Sequence, residues 1–365
     1  IHEVGHNFFP MIINSDERQW TWMDEGLNTF VQFLAEQEFD RDYPSRRGSA
    51  RDITYYMGGD KLRISPIMTN SESIYQFGPN AYGKPATALN ILRETVMGRD
   101  LFDYAFKEYS RRWAFKHPTP ADFFRTMEDA SGVDLDWFWR GWFYTNDHVD
   151  ISLDEVRWMQ IDTQNPDVES AFRKSQDELE PSDISHERDL VDVPVTYLDV
   201  DPTLNDYYTT TGNHEVLEID RLEYMENIEN LSEEERAVLE SGMNFYEITF
   251  RNVGGLVMPL IIGFEFEDGE MEVRRIPAEV WLMSEPTVTK VFATDRPVSR
   301  IILDPFLETA DCDLSNNNWP PRPQPTRFEI YKQNGSGYNS YGAQGDNPMQ
   351  RAIKNEELLK EKSTD

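Results

Sequence analysis

The chain has 365 residues, of which 39% are hydrophobic and 13% aromatic, enough for two domains with a core of ordinary size. It carries 35 basic and 67 acidic residues, a formal net charge of −32. Such a surface argues against binding to a nucleic-acid backbone or to an anionic membrane, because both need clustered Lys and Arg. The one cysteine, Cys312, excludes an intrachain disulfide, and no apolar run approaches the ~20 residues that span a bilayer.

The first predicted helix begins with the pattern H-E-x-x-H, formed by His2, Glu3 and His6. On a helix the two histidines stand one turn apart on one face, so both imidazoles reach one ion. Glu3 is rotated by about 100° from His2, which places it better for a bound water than for the ion. Three fixed letters in five residues arise by chance in roughly one chain in a hundred of this length. The pattern alone is therefore a moderate signal.

Glu25 follows His6 after eighteen intervening residues, inside Trp22-Met23-Asp24-Glu25-Gly26. The apolar spacing of 27–34 predicts a second helix that packs beside the first and presents Glu25 inward. Two histidines and a carboxylate leave one tetrahedral position open, which is typical of a catalytic zinc site. Thr29 lies one turn beyond Glu25, where it would brace a ligand or be a helix-face threonine without that role.

More helices are predicted as far as about residue 146. Residues 86–97 have helical spacing, and residues 101–115 place several aromatic side chains on one face. Thr119 is predicted to cap a helix that begins at Pro120 and ends near Gly132. Asp134 or Asp136 then caps an aromatic segment over 137–144, which favours buried core over a substrate pocket because aromatic side chains dominate burial.

From Asp150 the apolar period changes to two, which predicts a strand from Ile151. Residues 162–242 are acidic and weakly patterned, which indicates a connector or insertion with one helix, opened by a capping box at Ser232. Short alternating segments between 245 and 303 predict a small β-sandwich, with a hairpin at Asp268-Gly269. Beyond Trp319, the proline- and glycine-rich composition predicts a disordered tail with a marginal amphipathic helix over 349–361.

These motifs resemble the aminopeptidase N (membrane alanyl aminopeptidase) family of gluzincin zinc metallopeptidases. The family pattern is H-E-x-x-H, eighteen residues, then Glu inside W-x-x-E-G, and every letter is present. The resemblance covers residues 1–158 by motif and implies a mostly helical, thermolysin-like catalytic half-domain there. With the patterns above, the expected fold class is α+β. The acidic connector would span 159–242, the β-sandwich-like domain 243–318 and the tail 319–365.

The resemblance also implies roles for single residues. One zinc ion per chain would be held by His2, His6 and Glu25, and Glu3 would act as the general base on the attacking water. The family's Y-x-K-G segment is matched by Tyr82-Gly83-Lys84-Pro85, with proline in place of glycine. Tyr82 would then donate a hydrogen bond to the oxyanion.

Two departures accompany this match. Without the resemblance, Tyr82 would be a plain packed tyrosine, and Tyr55, Tyr56 and Tyr75 would compete for its role. The family's Trp-Phe-Gly-Asn run after the second histidine is replaced by Phe8-Phe9-Pro10-Met11. This second departure concerns local packing rather than the ligands.

Three functions stay open at this point. The first is a zinc metalloaminopeptidase that hydrolyses the N-terminal residue of peptides. The second is a non-catalytic, zinc-bearing homologue that serves as a binding or scaffold module, and the third is another zinc hydrolase on the same site. The intact Glu3 favours an enzyme, since a scaffold needs no general base between its histidines.

The family's Gly-x-Met-Glu-Asn loop, which binds the substrate's α-amino group, does not occur in these 365 residues. The expectation is a C-terminal part of a longer enzyme that is inactive alone. Resemblance to secreted bacterial members suggests a periplasmic or envelope-associated location. The remaining histidines, His117, His148, His186 and His214, are expected to be ordinary surface or loop residues, and 162–242 lacks EF-hand-like calcium spacing.

Overall fold

A computed structural model describes residues 1–206, 214–283, 286–322 and 353. Its α-helices are α1 (His2–Gly5), α2 (Leu27–Phe39), α3 (Thr54–Met57), α4 (Lys84–Ile91), α5 (Arg99–Trp113), α6 (Pro120–Ser131), α7 (Asp136–Tyr144), α8 (Pro166–Asp177), α9 (Ile184–Asp192), α10 (Tyr197–Val200), α11 (Glu218–Glu229) and α12 (Glu233–Leu239). The strands are β1 (Ile151–Gln160), β2 (Asn244–Asn252), β3 (Leu260–Phe266), β4 (Met271–Ile276), β5 (Thr287–Thr294), β6 (Val298–Leu303) and β7 (Asn318–Trp319).

Wide helical turns occur where the predicted site residues lie. They span Asn7–Ile12, which is kinked at Phe9 and Pro10, and Trp22–Gly26, Gly78–Gly83 and Leu92–Val96. In the second of them the Leu27 amide reaches back five residues to the Trp22 carbonyl. Such π-type turns are rare, and they are found frequently at functional sites. Three of the four adjoin or contain a residue that the sequence analysis assigned to the zinc site.

An aromatic core holds the segment that carries Glu25. Trp22 is fully buried, and its ring centroid lies 4.8 Å from that of Phe143 and 5.7 Å from that of Phe123. Each such pair contributes about 0.5–1.5 kcal/mol beyond burial of its area. The prediction of core for the aromatic segment is confirmed for four of its members, Phe138, Trp139, Trp142 and Phe143.

The helix ends follow local rules that the sequence displays. Thr119 is the expected N-cap of α6, where the structure adds a capping box with Asp122, and Gly132 ends that helix in the left-handed conformation. The predicted helix over 86–97 begins two residues earlier, at Lys84, and continues into the wide turn Leu92–Val96. The predicted helix over 101–115 is shifted by two residues, to Arg99–Trp113.

The strands form two antiparallel sheets, one in the order β1-β2-β5 and one in the order β4-β3-β6-β7. The hairpin predicted at Asp268-Gly269 joins β3 to β4, with Gly269 at a φ of 83°. The two sheets contact each other through Phe264 and Phe292, whose ring centroids are 5.3 Å apart. The expected α+β class is confirmed.

The prediction that residues 162–242 contain one helix is wrong. Residues 162–242 contain α8 to α12, not a single helix. Only Ser170 is buried among the residues of these helices, so tertiary packing contributes little to them. Side-chain caps mark several of them instead, as at Asn165 and Asp183.

The division into domains stays a prediction, with one refinement from strand pairing. Strand β1 pairs with β2 from Ile151 opposite Asn252 to Gln160 opposite Asn244, so residues 151–160 belong with the sheets. The predicted tail beyond residue 322, including the helix over 349–361, lies outside the described residues except for residue 353. Within the described ranges, no helix has the length and apolarity needed to cross a bilayer.

Candidate metal centre

The predicted ligands converge where α1 meets the start of α2. The His2 and Glu25 side chains approach to 3.1 Å, from Nε2 to Oε2, and His6 Nε2 lies 3.5 Å from the same oxygen. Asn28 on α2 ties the two helices together, because its Nδ2 donates to the His2 carbonyl at 2.8 Å. The structure thus brings together residues that are separated by up to 23 positions in sequence.

The donor set fits a single metal ion. One ligand atom each from His2, His6 and Glu25 lies within 4.8 Å of the other two. Zinc bonds of about 2.0–2.1 Å in tetrahedral geometry place ligand atoms about 3.3 Å apart. The measured separations of 3.1 and 3.5 Å around the Glu25 oxygen match that spacing. Two imidazoles and one carboxylate are also the ligand types of catalytic zinc centres.

Hydrogen bonds on the far side of each ring orient both histidines. His2 Nδ1 lies 2.9 Å from Gln32 Oε1, and His6 Nδ1 lies 2.9 Å from the Phe9 carbonyl. When these Nδ1 atoms carry the protons, the Nε2 lone pairs face the centre. The run that departs from the family pattern, Phe8 to Met11, therefore supplies the carbonyl that orients His6.

A buried carboxylate, Asp24, lies behind the centre, with Oδ1 2.9 Å from His6 Nδ1. Burial, and next the charge of Glu25, raise the pKa of Asp24 to about 7, although His6 opposes the shift. Burial lowers the pKa of His6, but the Phe9 carbonyl and the nearby carboxylates outweigh that effect and leave it above its usual value. The carboxylates that raise the pKa of His6 favour positive charge at this centre.

Tyr82 is the tyrosine that the structure places at this centre. Its hydroxyl donates to Glu25 Oε1 at 2.6 Å, and its ring stacks on His2 with centroids 5.7 Å apart. Burial and the hydrogen bond to Glu25 raise the pKa of Tyr82, so the phenol stays a proton donor. Of the competing tyrosines, Tyr56 is buried with its oxygen 3.4 Å from Asn80 Nδ2, and Tyr75 is exposed.

Two neighbours of Tyr82 fix the helix on which it lies. Lys84 is fully buried, its Nζ donates to the Thr145 carbonyl at 3.3 Å, and burial lowers the pKa of Lys84 to about 8. Pro85, which departs from the family pattern, packs against Gly26. A Cβ atom on Gly26 would lie 2.6 Å from Pro85 Cγ, so this close approach requires glycine directly after Glu25.

Glu3 lies on α1 between the two histidines and is exposed to solvent. Within the described residues its carboxylate makes no hydrogen bond or ion pair to another side chain. It contributes to the raised pKa of His6, which places its charge near the centre. A carboxylate of this kind is available to accept a proton from water.

Gln32 is the site residue that the sequence analysis missed. It contacts His2 through Oε1, and its Nε2 donates to Glu36 Oε1 at 2.7 Å. Thr29, which was considered for that bracing role, is buried with no hydrogen-bond partner for its hydroxyl in the described part of the chain. Gln32 lies seven residues after Glu25, which is about two helical turns. This spacing places both side chains on one face of the helix, and it could have identified Gln32 from the sequence.

Replacing Gln32 by Leu is expected to weaken metal binding about 10- to 100-fold, because the His2 ring loses the acceptor that orients it. Competition with a chelator of known affinity measures the change. Thr29→Val is the matched control on the same helix and is expected to leave the affinity unchanged. Equal losses in both variants would contradict the role of Gln32.

The four other histidines do not join a metal-binding cluster within the described residues. A second group of possible ligands there, Glu128, Asp134 and Asp136, consists of carboxylates alone and is largely exposed. Such groups are common on acidic surfaces, and this chain has a net charge of −32. The His2, His6 and Glu25 centre is therefore the one with the chemistry of a transition-metal site.

Residues 1–142 match the model of the peptidase family M1 domain. Among curated proteins, glutamyl aminopeptidase of Sus scrofa is 24% identical over 162 residues, 43% of this chain and 17% of that protein. Among solved structures, Legionella pneumophila aminopeptidase A covers 80% of this chain at 14% identity and a TM-score of 0.41, and 23% of that chain is matched. An M1 zinc metallopeptidase from Deinococcus radiodurans covers 39% of this chain at 21% identity and a TM-score of 0.34, with 32% of that chain matched.

The chain spans about one sixth of the length of the curated relatives that it matches. The matched region contains all three donor residues, Glu3 and Tyr82.

Proposed function

We propose that the whole protein is a zinc-dependent aminopeptidase of peptidase family M1, since residues 1–142 match the model of that family's domain. Its substrates would be peptides with a free N-terminus, and its reaction the hydrolysis of their first peptide bond. We also propose a location in the periplasm or cell envelope, following the resemblance to secreted members.

The observation that carries this proposal is the convergence of His2, His6 and Glu25 on one point, with Tyr82 hydrogen-bonded to Glu25 at 2.6 Å. His2, His6 and Glu25 would hold one zinc ion, which when bound supplies a Lewis acid for water and for the scissile carbonyl. The orienting bonds from Gln32 and from the Phe9 carbonyl hold the imidazoles in place for that task.

Glu3 would move the proton. Its exposed carboxylate lies on α1 beside both histidines, where it accepts a proton from the attacking water and passes it to the leaving amine. A carboxylate that makes both proton transfers must be free of competing hydrogen bonds. Glu3 makes no hydrogen bond to another side chain in the described residues.

Tyr82 would turn its one O–H from Glu25 Oε1 to the oxygen of the scissile carbonyl as negative charge develops there. Its hydroxyl stays protonated because burial and Glu25 raise its pKa. Donors of this type contribute about 3 kcal/mol to the transition state in comparable oxyanion holes. Lys84 and Pro85 hold the helix that carries Tyr82, so the phenol is positioned before substrate binds.

The test uses the full-length natural protein loaded with zinc. We expect turnover of aminoacyl reporter substrates, loss of turnover on chelation with recovery when zinc returns, and no turnover of the same substrates after N-acetylation. Stoichiometric zinc without any turnover would favour the scaffold function instead. Hydrolysis of the N-acetylated substrates would indicate another zinc hydrolase.

A further inference from the structure

A basic segment follows α2 in this acidic chain. Residues 41–51 contain four arginines, Arg41, Arg46, Arg47 and Arg51, and a single acidic residue, Asp42. All four arginine side chains are exposed. In a protein with a net charge of −32, a local excess of positive charge is the exception.

These four arginines also lack ion-pair partners. Within the described residues none of them lies within 4.0 Å of a carboxylate, whereas thirteen other arginines do. Six further described arginines share this lack of an ion pair, so what distinguishes Arg47 is its position; they are Arg125, Arg140, Arg173, Arg188, Arg236 and Arg322. The guanidinium groups of this segment are left available to an outside anion.

The segment is nevertheless anchored to α2 on both sides of Arg46 and Arg47. Before them, Ser45 Oγ donates to Oε2 of the buried Glu36 at 2.6 Å. After them, Gly48 has a φ of 119° and lies so close to the Phe33 ring that any side chain would collide with it. Because both ends are held, the position of Arg47 is set by the fold.

Arg47 lies directly at the candidate centre. Its guanidinium carbon is 4.6 Å from the ring centroid of Tyr82, in the geometry of a cation–π contact. This contact places the guanidinium group beside the phenol, while its N–H donors make no ion pair with a carboxylate in the described part of the chain. A planar fork of donors next to the proposed oxyanion donor matches a carboxylate.

We propose that Arg47 binds a carboxylate of the peptide substrate. This inference rests on the proposed aminopeptidase function. A peptide residue spans about 3.3–3.6 Å when extended, so a carboxylate on Arg47 would lie roughly one to three residues from the carbonyl at Tyr82. It belongs to an acidic side chain near the scissile bond or to the C-terminus of a short peptide.

The experiment compares three peptides of one sequence in the full-length, zinc-loaded protein. The first is neutral with an amidated C-terminus, the second has a free C-terminal carboxylate, and the third has an Asp side chain and an amidated C-terminus. For Arg47→Gln we expect the kcat/KM of one anionic peptide, relative to that of the neutral peptide, to fall about 10- to 100-fold, mainly through KM. The anionic peptide whose kcat/KM falls relative to that of the neutral peptide carries the carboxylate that Arg47 binds.

Two further variants sharpen the comparison. Arg47→Lys keeps the charge without the planar fork and is expected to restore the preference only in part. Arg51→Gln removes the same charge from an exposed neighbour and is expected to leave the anionic-to-neutral ratio unchanged. Equal ratio changes in Arg51→Gln and Arg47→Gln would show a general field effect and overturn the assignment.

The remaining outcomes distinguish a failure of this inference from a failure of the proposed aminopeptidase function. If Arg47→Gln slows the neutral and both anionic peptides equally, Arg47 only positions Tyr82 and the carboxylate assignment is wrong. Retained turnover with an unchanged ratio would overturn this inference alone. No turnover of any of the three peptides by the unmodified protein would overturn the proposed function, and this inference with it.

Discussion

The Glu3→Gln variant of the full-length protein is expected to lose about 10²- to 10⁴-fold in kcat while it keeps its zinc. The amide has nearly the shape of the carboxylate but cannot accept the proton of the attacking water. Zinc should stay because Glu3 is not one of the three residues whose donor atoms converge. Turnover of aminoacyl reporters and elemental analysis of the same preparations measure the two effects.

A matched control for Glu3→Gln is Glu38→Gln. Glu38 is also exposed, and it lies near the end of α2, away from the residues that converge on the centre. The control removes one surface charge and should leave turnover unchanged. Turnover of Glu3→Gln close to that of the unmodified protein would remove Glu3 from the mechanism, and zinc loss would reassign it as a ligand.

Replacement of Glu25 by Ala is expected to remove the zinc and all measurable turnover. Both histidines approach the same Glu25 oxygen, at 3.1 and 3.5 Å, so its loss takes away the third donor and leaves two imidazoles. Two-ligand sites bind zinc far more weakly than the three-ligand sites of catalytic centres. Elemental analysis after dialysis against a weak chelator measures the zinc that remains.

Tyr82→Phe is the informative contrast to Glu25→Ala. It also removes the hydrogen bond to Glu25, since the Tyr82 hydroxyl donates to Oε1 at 2.6 Å, but it leaves all three donors in place. We expect zinc to be retained and kcat to fall about 10²-fold with KM little changed, as for a donor that acts in the transition state. If Tyr82→Phe lost its zinc as Glu25→Ala does, the hydroxyl would serve the metal site and not the oxyanion.

Local patterns in the sequence were sufficient for several elements. The N-cap at Thr119, the hairpin at Asp268-Gly269 and the buried aromatic segment of α7 follow from rules that operate within a few residues. Of the helices of 162–242, only the one that Ser232 caps was predicted, and the others lie in the same acidic segment with nearly all of their side chains exposed. Apolar side chains do recur at helical spacing in α8, as at Val168, Ala171 and Phe172, but they are exposed, and the acidic composition around them favours a connector.

The candidate ligands could be named from the sequence alone. His2 and His6 share one face because a helical turn repeats every 3.6 residues, and the motif spacing nominated Glu25. The residues that surround these ligands depend on tertiary packing. Gln32 reaches His2 through the packing of α2 against α1, and Arg47 reaches Tyr82 because Ser45 and Gly48 pin its loop to α2. Contacts between distant segments depend on how helices pack and loops are anchored, and no local period records that.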